Sequence, residues 1–178
     1  MFEEARLLGP TERSVVVQTR QGTNIKNLIE LEPGPGERAT YQRFVAKFGK
    51  NWVPRKSPTG IYNCAGHVWA SRRTAILEED QWRLILREDG YRRLGEHEEP
   101  APDDLALYVD VDARGEALLH VARVLGLCRG VAPDSRRIPW VVSKWNSTSG
   151  EAMHHVHDVP YGRQEFHFRM EYWTDRPI

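Results

Sequence analysis

The feature that most constrains the fold is a change of hydrophobic period near residue 104. Beyond it, "DLALYVDV" (104–111) and "EALLHVARVLGL" (116–127) are β-rich runs separated by "DARG", a turn signal, and so read as a hairpin. "RIPWVVSKW" (137–145) reads as a third strand. "NSTSGEAMHH" (146–155) reads as a polar loop, and "RQEFHFRMEYW" (163–173), with alternating apolar positions, as a late strand. Upstream the period is helical. "TYQRFVAKFG" (40–49) spaces Tyr41, Phe44, Val45 and Phe48 along one face with Gly49 as a stop. "EEDQWRLILREDG" (78–90) does the same with Trp82, Ile85 and Leu86, closed by Gly90. "NWVPRKSPTG" (51–60) and "GEHEEPAPDD" (95–104) read as loop and linker. The one early β-like run is "SVVVQTR" (14–20), followed by Pro-Gly punctuation in "NLIELEPGPGE". Helices first and an antiparallel sheet second predict an α+β domain.

A chain of 178 residues predicts one domain, with residues 1–39 as an N-terminal extension and 61–173 as the catalytic core. Lys plus Arg equals 25 and Asp plus Glu equals 25, which argues against a nucleic-acid or anionic-membrane partner. No apolar run approaches the length of a membrane span. The charged start "MFEEARLLGPTERS" is unlike a secretory signal. Two cysteines without such a signal predict reduced thiols in a cytoplasmic chain, with export by a signal-independent route as the alternative.

Chemistry concentrates in "GIYNCAGHVWASRR" (60–73). A helix is predicted to start at Asn63 or Cys64 and to carry Val68 and Trp69, extending toward Arg72 and Arg73. Asn63 is a good N-cap, which places Cys64 at the first helical position. There the unpaired N–H groups favour negative charge and are expected to lower the thiol pKa, while the Cys64 amide offers one oxyanion donor. Gly66 permits close approach of a backbone or a substrate. His67, one turn further on, could polarise the thiol, bind substrate or simply pack. A cysteine nucleophile also needs a base. His120, on one strand face with Ala122 and Val124, is the candidate; a buried histidine satisfied by a backbone carbonyl is the bland alternative. "HHVHD" (154–158) competes as a metal edge through His154, His155, His157 and Asp158, although no Cys-x-x-Cys or His-Glu-x-x-His pattern accompanies it. Cys128 reads as packing, and Trp69, Trp82, Trp140 and Trp145 as core or cleft wall.

"NCAGHV" resembles the Asp-Cys-Ser-Gly-x-Val signature of NlpC-type papain-like cell-wall peptidases, with Asn63 for Asp and Ala65 for Ser. "DDLALY" (103–108) resembles that superfamily's Gly-Asp-Leu-Val-Phe-Phe strand, and "HVARV" its His-Val-Gly-Ile-Tyr strand. "NCAGHVWASRR", "ILREDGYRRL", "VVSKWNSTSGE" and "HDVPY" are similar to a little-characterised bacterial group of the same superfamily, whose members read Asn-Cys-His-Gly and then Ser-Lys-Trp-Gly. The resemblance implies a papain-like α+β fold, with the nucleophile helix packed on a C-terminal antiparallel sheet. It implies Cys64 as nucleophile, His120 as base and a third polar residue on the next strand, for which Ser143 and Asn146 are the candidates. Asn63, Gly66, His67 and His155 are the expected substrate-binding positions.

The expected activity is therefore that of a cysteine peptidase or amidase, or an acyl transferase, needing no cofactor or metal. Its expected partners are a peptide, protein or peptidoglycan-derived substrate and a cognate inhibitor or activator protein. Two alternatives stand beside it: a non-catalytic binding domain on the same scaffold, and a metal-dependent hydrolase using the HHVHD segment.

Overall fold

A computed structural model describes residues 15–112, 115–128, 137–159 and 168–177. The leading charged stretch, the tip of the predicted DARG turn, and the Pro-Tyr of "HDVPY" with the start of the late strand lie outside the described residues. The fold mixes three helices with seven strands among the described residues. In chain order these are α1 (Pro35–Phe48), β1 (Trp52–Lys56), α2 (Cys64–Trp69), α3 (Glu79–Glu88), β2 (Arg92–Arg93), β3 (Leu105–Asp112), β4 (Gly115–Cys128), β5 (Ile138–Lys144), β6 (Glu151–His155) and β7 (Phe168–Thr174). All seven strands form a single antiparallel sheet, ordered β1-β6-β5-β4-β3-β7-β2.

Strand alternation gives the sheet two apolar faces. Leu105, Leu107, Val109 and Val121 face α2 and α3 and pack with Cys64, Ala65, Val68, Trp82, Ile85 and Leu86. Ala106, Tyr108, Ala122, Val124 and Val141 face the other way, against Val156, Val159 and the partly buried Trp145. Val17 and Ile25 also belong to the first core, so the described part of the predicted N-terminal extension contributes to it.

Four local expectations need correction. Residues 52–56, expected as loop, form β1. β1 is an edge strand of the sheet, where Pro54, a residue without an N–H, is tolerated. Residues 151–155 likewise form β6, whose polar sequence hides buried Ala152 and His154. α1 begins at Pro35, five residues earlier than the apolar period suggests. The Glu37 carboxylate accepts the Gly34 N–H (2.8 Å), and Pro35 supplies the fixed φ of a first helical position. Finally, α2 stops at Trp69, because Ser71 (φ 50) and Arg72 (φ 66) turn left-handed, so neither Arg72 nor Arg73 is helical.

Candidate active site

Asn63 fixes the start of α2 with all of its side-chain chemistry. Its Oδ1 accepts the Gly66 N–H (2.9 Å) and the Ile76 N–H (3.1 Å), while its Nδ2 donates to the Ile76 carbonyl (2.8 Å). Gly66 is required by a neighbouring backbone. A Cβ there would lie 1.8 Å from the Thr74 carbonyl oxygen. Both residues therefore hold Cys64 in place, and neither presents a free group to a ligand.

α2 packs on β4 and β5, and Cys64 meets β4 at Val121. The sulfur lies among the backbone N–H groups of Val121, Ala65 and Cys64 itself, with the Lys144 ammonium near enough to act on it. These groups favour a thiolate, but burial is stronger and pushes the thiol up to about 11. The expected lowering by the helix terminus is thus overturned. The helix has six residues and a small dipole, and the sulfur is cut off from water. At pH 7 such a thiol is about 0.01% ionised, against about 3% for an ordinary one. Iodoacetamide is therefore expected to label exposed Cys128 first and Cys64 roughly a hundredfold more slowly, at a rate still climbing above pH 9. Peptide mapping by mass spectrometry across pH checks this.

His120 immediately precedes Val121. β4 pairs Tyr108 with His120 but Val109 with Leu118, so Leu119 is a bulge residue directly before the imidazole. Such bulges re-aim the side chain that follows them. His120 is 2% exposed, and neither ring nitrogen has a hydrogen-bond partner. Burial holds its pKa well below the usual histidine value, with His154 and His67 acting in the same direction. The ring is positioned by aromatic contact: it stacks on Trp145 (centroids 3.9 Å apart, planes at 11°) and meets the Tyr108 ring at 5.2 Å. Cys64 thus packs beside Val121 on the α2 side of the sheet, whereas the His120 ring lies with Tyr108 and Trp145 on the other face, and no hydrogen bond joins the two.

The two candidates for the third position differ sharply. Asn146 is exposed, and its Oδ1 accepts from the Thr148 N–H and hydroxyl (both 3.0 Å), which makes it a turn residue. Ser143 is fully buried, and its Oγ lies 2.8 Å from His154 Nε2. Neither residue hydrogen-bonds His120. The indole Nε1–H of Trp145 also donates to His154 Nε2 (3.3 Å). An indole can only donate, so Nε2 accepts and the His154 proton sits on Nδ1, where it donates to the His155 carbonyl (2.8 Å). His154 in turn stacks on Trp52 (4.4 Å). Ser143 and His154 therefore secure the indole that secures His120. His154 and Trp145 are the positioning residues that residue-by-residue reading missed. The available signal was the two-residue spacing from Ser143 to Trp145, which continues one strand face.

His154 thus has both nitrogens committed to hydrogen bonds, which corrects its reading as a metal edge. His155, at the end of β6, sits edge-on to Trp140 (4.6 Å). His157 follows in a turn and is exposed, so it does not continue a strand face with His155. Among the described residues no group of three or more His, Cys, Asp or Glu is arranged to hold a metal ion.

His67 is buried on the α2 side of the sheet. Its Nε2 accepts from the Arg72 guanidinium (3.0 Å). Burial lowers its pKa to about 4, partly offset by Glu151, so the ring is neutral at pH 7. Glu151 is 2% exposed and accepts from the Tyr62 hydroxyl (2.5 Å) and from Arg72 Nη2 (3.2 Å). Lys144, also buried, donates to the carbonyls of Asn146 (2.6 Å) and Ser147 (2.9 Å). Burial lowers its ammonium to about 8, against support from Cys64, Glu30 and Glu151.

Fold and site together define an α+β protein with a seven-stranded antiparallel sheet and a buried cysteine at a helix start beside a strand histidine. No family model, curated protein or solved structure matches the chain. No helix among the described residues is long and apolar enough to cross a membrane.

Proposed function

We propose that the chain is a papain-like cysteine hydrolase or acyl transferase acting on an amide bond, with Cys64 as nucleophile and His120 as base. One observation carries the reading. A fully buried imidazole leaves both nitrogens unpartnered, directly before the Val121 amide that faces the Cys64 sulfur. Unpaired buried nitrogens cost free energy and persist where a reaction uses them.

The resting pair is a thiol and a neutral imidazole, so the proton moves as the sulfur attacks. Cys64 Sγ bonds to the substrate carbonyl carbon while its proton passes to His120. The amides of Cys64, Ala65 and Val121 are the donors that favour negative charge at this point, and they stabilise the developing oxyanion. Collapse breaks the C–N bond, and His120 returns its proton to the leaving amine. Water or a second amine then attacks the thioester, losing its proton to His120, and the thiol is regenerated as Sγ departs. A cavity of about 430 Å³ lies between α1 and Trp145, lined by Tyr41, Phe44 and Asn146. It reaches the indole stacked on His120 and gives a peptide-sized substrate an aromatic wall. Peptides, proteins and peptidoglycan-derived amides are the substrate classes in view, and a cognate activator or inhibitor would act at this opening.

The burial of Cys64 favours a second reading, a binding domain that keeps the scaffold without the chemistry. Amine release from a panel of peptide and stem-peptide amides separates the two. Release by wild type that is lost in Cys64→Ala supports the hydrolase. Identical traces from both proteins favour the binding domain.

A further inference from the structure

On the α2 side of the sheet, a cavity of about 380 Å³ opens between the end of α2 and strands β1, β4, β5 and β6. Arg55, Lys56, Arg72, Arg123, His67 and Glu151 supply its ionisable lining, four cations against a single carboxylate. That carboxylate is already committed to Arg72 and to the Tyr62 hydroxyl. Arg123 is held in place, with Nη2 on the Val68 carbonyl (2.8 Å) and Nη1 on Asp103 (3.2 Å). Arg55 and Lys56 are exposed at the rim, and among the described residues neither has a carboxylate partner. With Arg72 paired to Glu151 and Arg123 to Asp103, the uncompensated positive charge of the cavity rests on Arg55 and Lys56, although the whole chain is neutral.

A second, independent observation comes from His67. A guanidinium can only donate, so Arg72 fixes His67 Nε2 as an acceptor and leaves the ring proton on Nδ1. The His67 side chain is 1% exposed, and this Nδ1 has no hydrogen-bond partner. A buried N–H is destabilising unless something supplies its acceptor. Cations need anions and the imidazole needs an oxygen, and one chemical group provides both.

We propose that this cavity is a binding site for a small oxyanion, a carboxylate or a phosphate carried by a small molecule or a chain end. The oxyanion accepts from His67 Nδ1–H and is held by Arg55 and Lys56 at the rim, with Arg123 behind. His67 lies three residues beyond Cys64, about 4.5 Å along the helix. The site stands on its own residues and does not depend on the thiol chemistry.

The test is titration of the 15N-labelled full chain with inorganic phosphate and, separately, with succinate, against sodium chloride at matched ionic strength. The readout is the His67 Nδ1 resonance. The expected result is a saturable shift with at least one oxyanion and none with chloride, weakened about tenfold or more in the double variant Arg55→Ala, Lys56→Ala. Both substitutions are at exposed positions, so the fold is kept. A response to phosphate alone assigns a phosphoryl ligand; a response to succinate alone assigns a carboxylate. The proposal is overturned if neither oxyanion moves His67, or if the double variant binds as tightly as wild type.

Discussion

Lowering the pH from 7 to 5 is expected to remove about 4 kcal/mol of stability or more, a large share of what a domain of this size has. The cause is three buried neutral histidines. In the unfolded chain each takes up a proton near the ordinary value of 6.5. In the fold, burial holds His67 and His154 down to about 4 and His120 well below its usual value. Below pH 6.5 the unfolded state therefore binds more protons, and acid favours it. His67 and His154 each contribute about 2 kcal/mol of the loss at pH 5, and His120 adds to it in the same direction. Urea midpoints at pH 7, 6 and 5 should fall steeply, and midpoints independent of pH across that window would contradict the buried neutral state.

Glu151→Ala is expected to cost about 3–5 kcal/mol, because it removes one partner of a buried charged network. The carboxylate, 2% exposed, accepts from Tyr62 and Arg72 and lies 3.8 Å from His67 Nε2. Its loss strands the Tyr62 hydroxyl and the enclosed part of Arg72. An exposed pair such as Arg92–Glu98 contributes far less, because water screens it. The charge also sets an acid limit distinct from that of the histidines. Burial raises the Glu151 pKa, but hydrogen bonds from Arg72 and Tyr62 outweigh it and the net shift is downward. Its contribution is thus present above the ordinary carboxylate range and is lost as pH falls through the lowered value, below the window where the histidines act. Chemical denaturation of Glu151→Ala at pH 7, with Glu151→Gln retaining one acceptor, checks the size. A change under 1 kcal/mol would mean that the network is solvated.

Much of the fold is legible from period alone. The β3–β4 hairpin, β5, α3 and the core of α1 follow from alternation or helical spacing, and the start of α2 follows from an Asn-Cys cap. What period could not show was β1 and β6, which make up one edge of the sheet. Pro54 argues against a strand unless its edge position is known, and Glu-Ala-Met-His-His has no apolar alternation to detect. The site divides in the same way. Cys64 and His120 stand out by residue type and context, and their placement on the two faces of the sheet, on either side of Val121, is a tertiary fact. The thiol pKa went the other way because burial, which outweighs a six-residue helix terminus, has no local sequence signature. Asn63 and Gly66 drew attention for the chemistry they offer, yet their hydrogen bonds and close contacts serve the backbone. The Ser143–His154–Trp145 relay is invisible in sequence, since His154 arrives from a strand that the sequence did not announce.

The most direct test of the central proposal is trapping of an acyl-enzyme with p-nitrophenyl acetate, an activated ester that needs no natural recognition. Wild type, Cys64→Ala and His120→Gln are followed at pH 7.5 by intact mass and peptide mapping. The expected result is an acetyl group on Cys64 of wild type, beside acetylation of exposed Cys128 that all three proteins share, and none at position 64 in Cys64→Ala. In His120→Gln the Cys64 acetyl group should form about 100-fold or more slowly, the usual scale for loss of a general base. Acetylation confined to Cys128 or surface lysines in all three proteins, with His120→Gln indistinguishable from wild type, would contradict a Cys64–His120 pair.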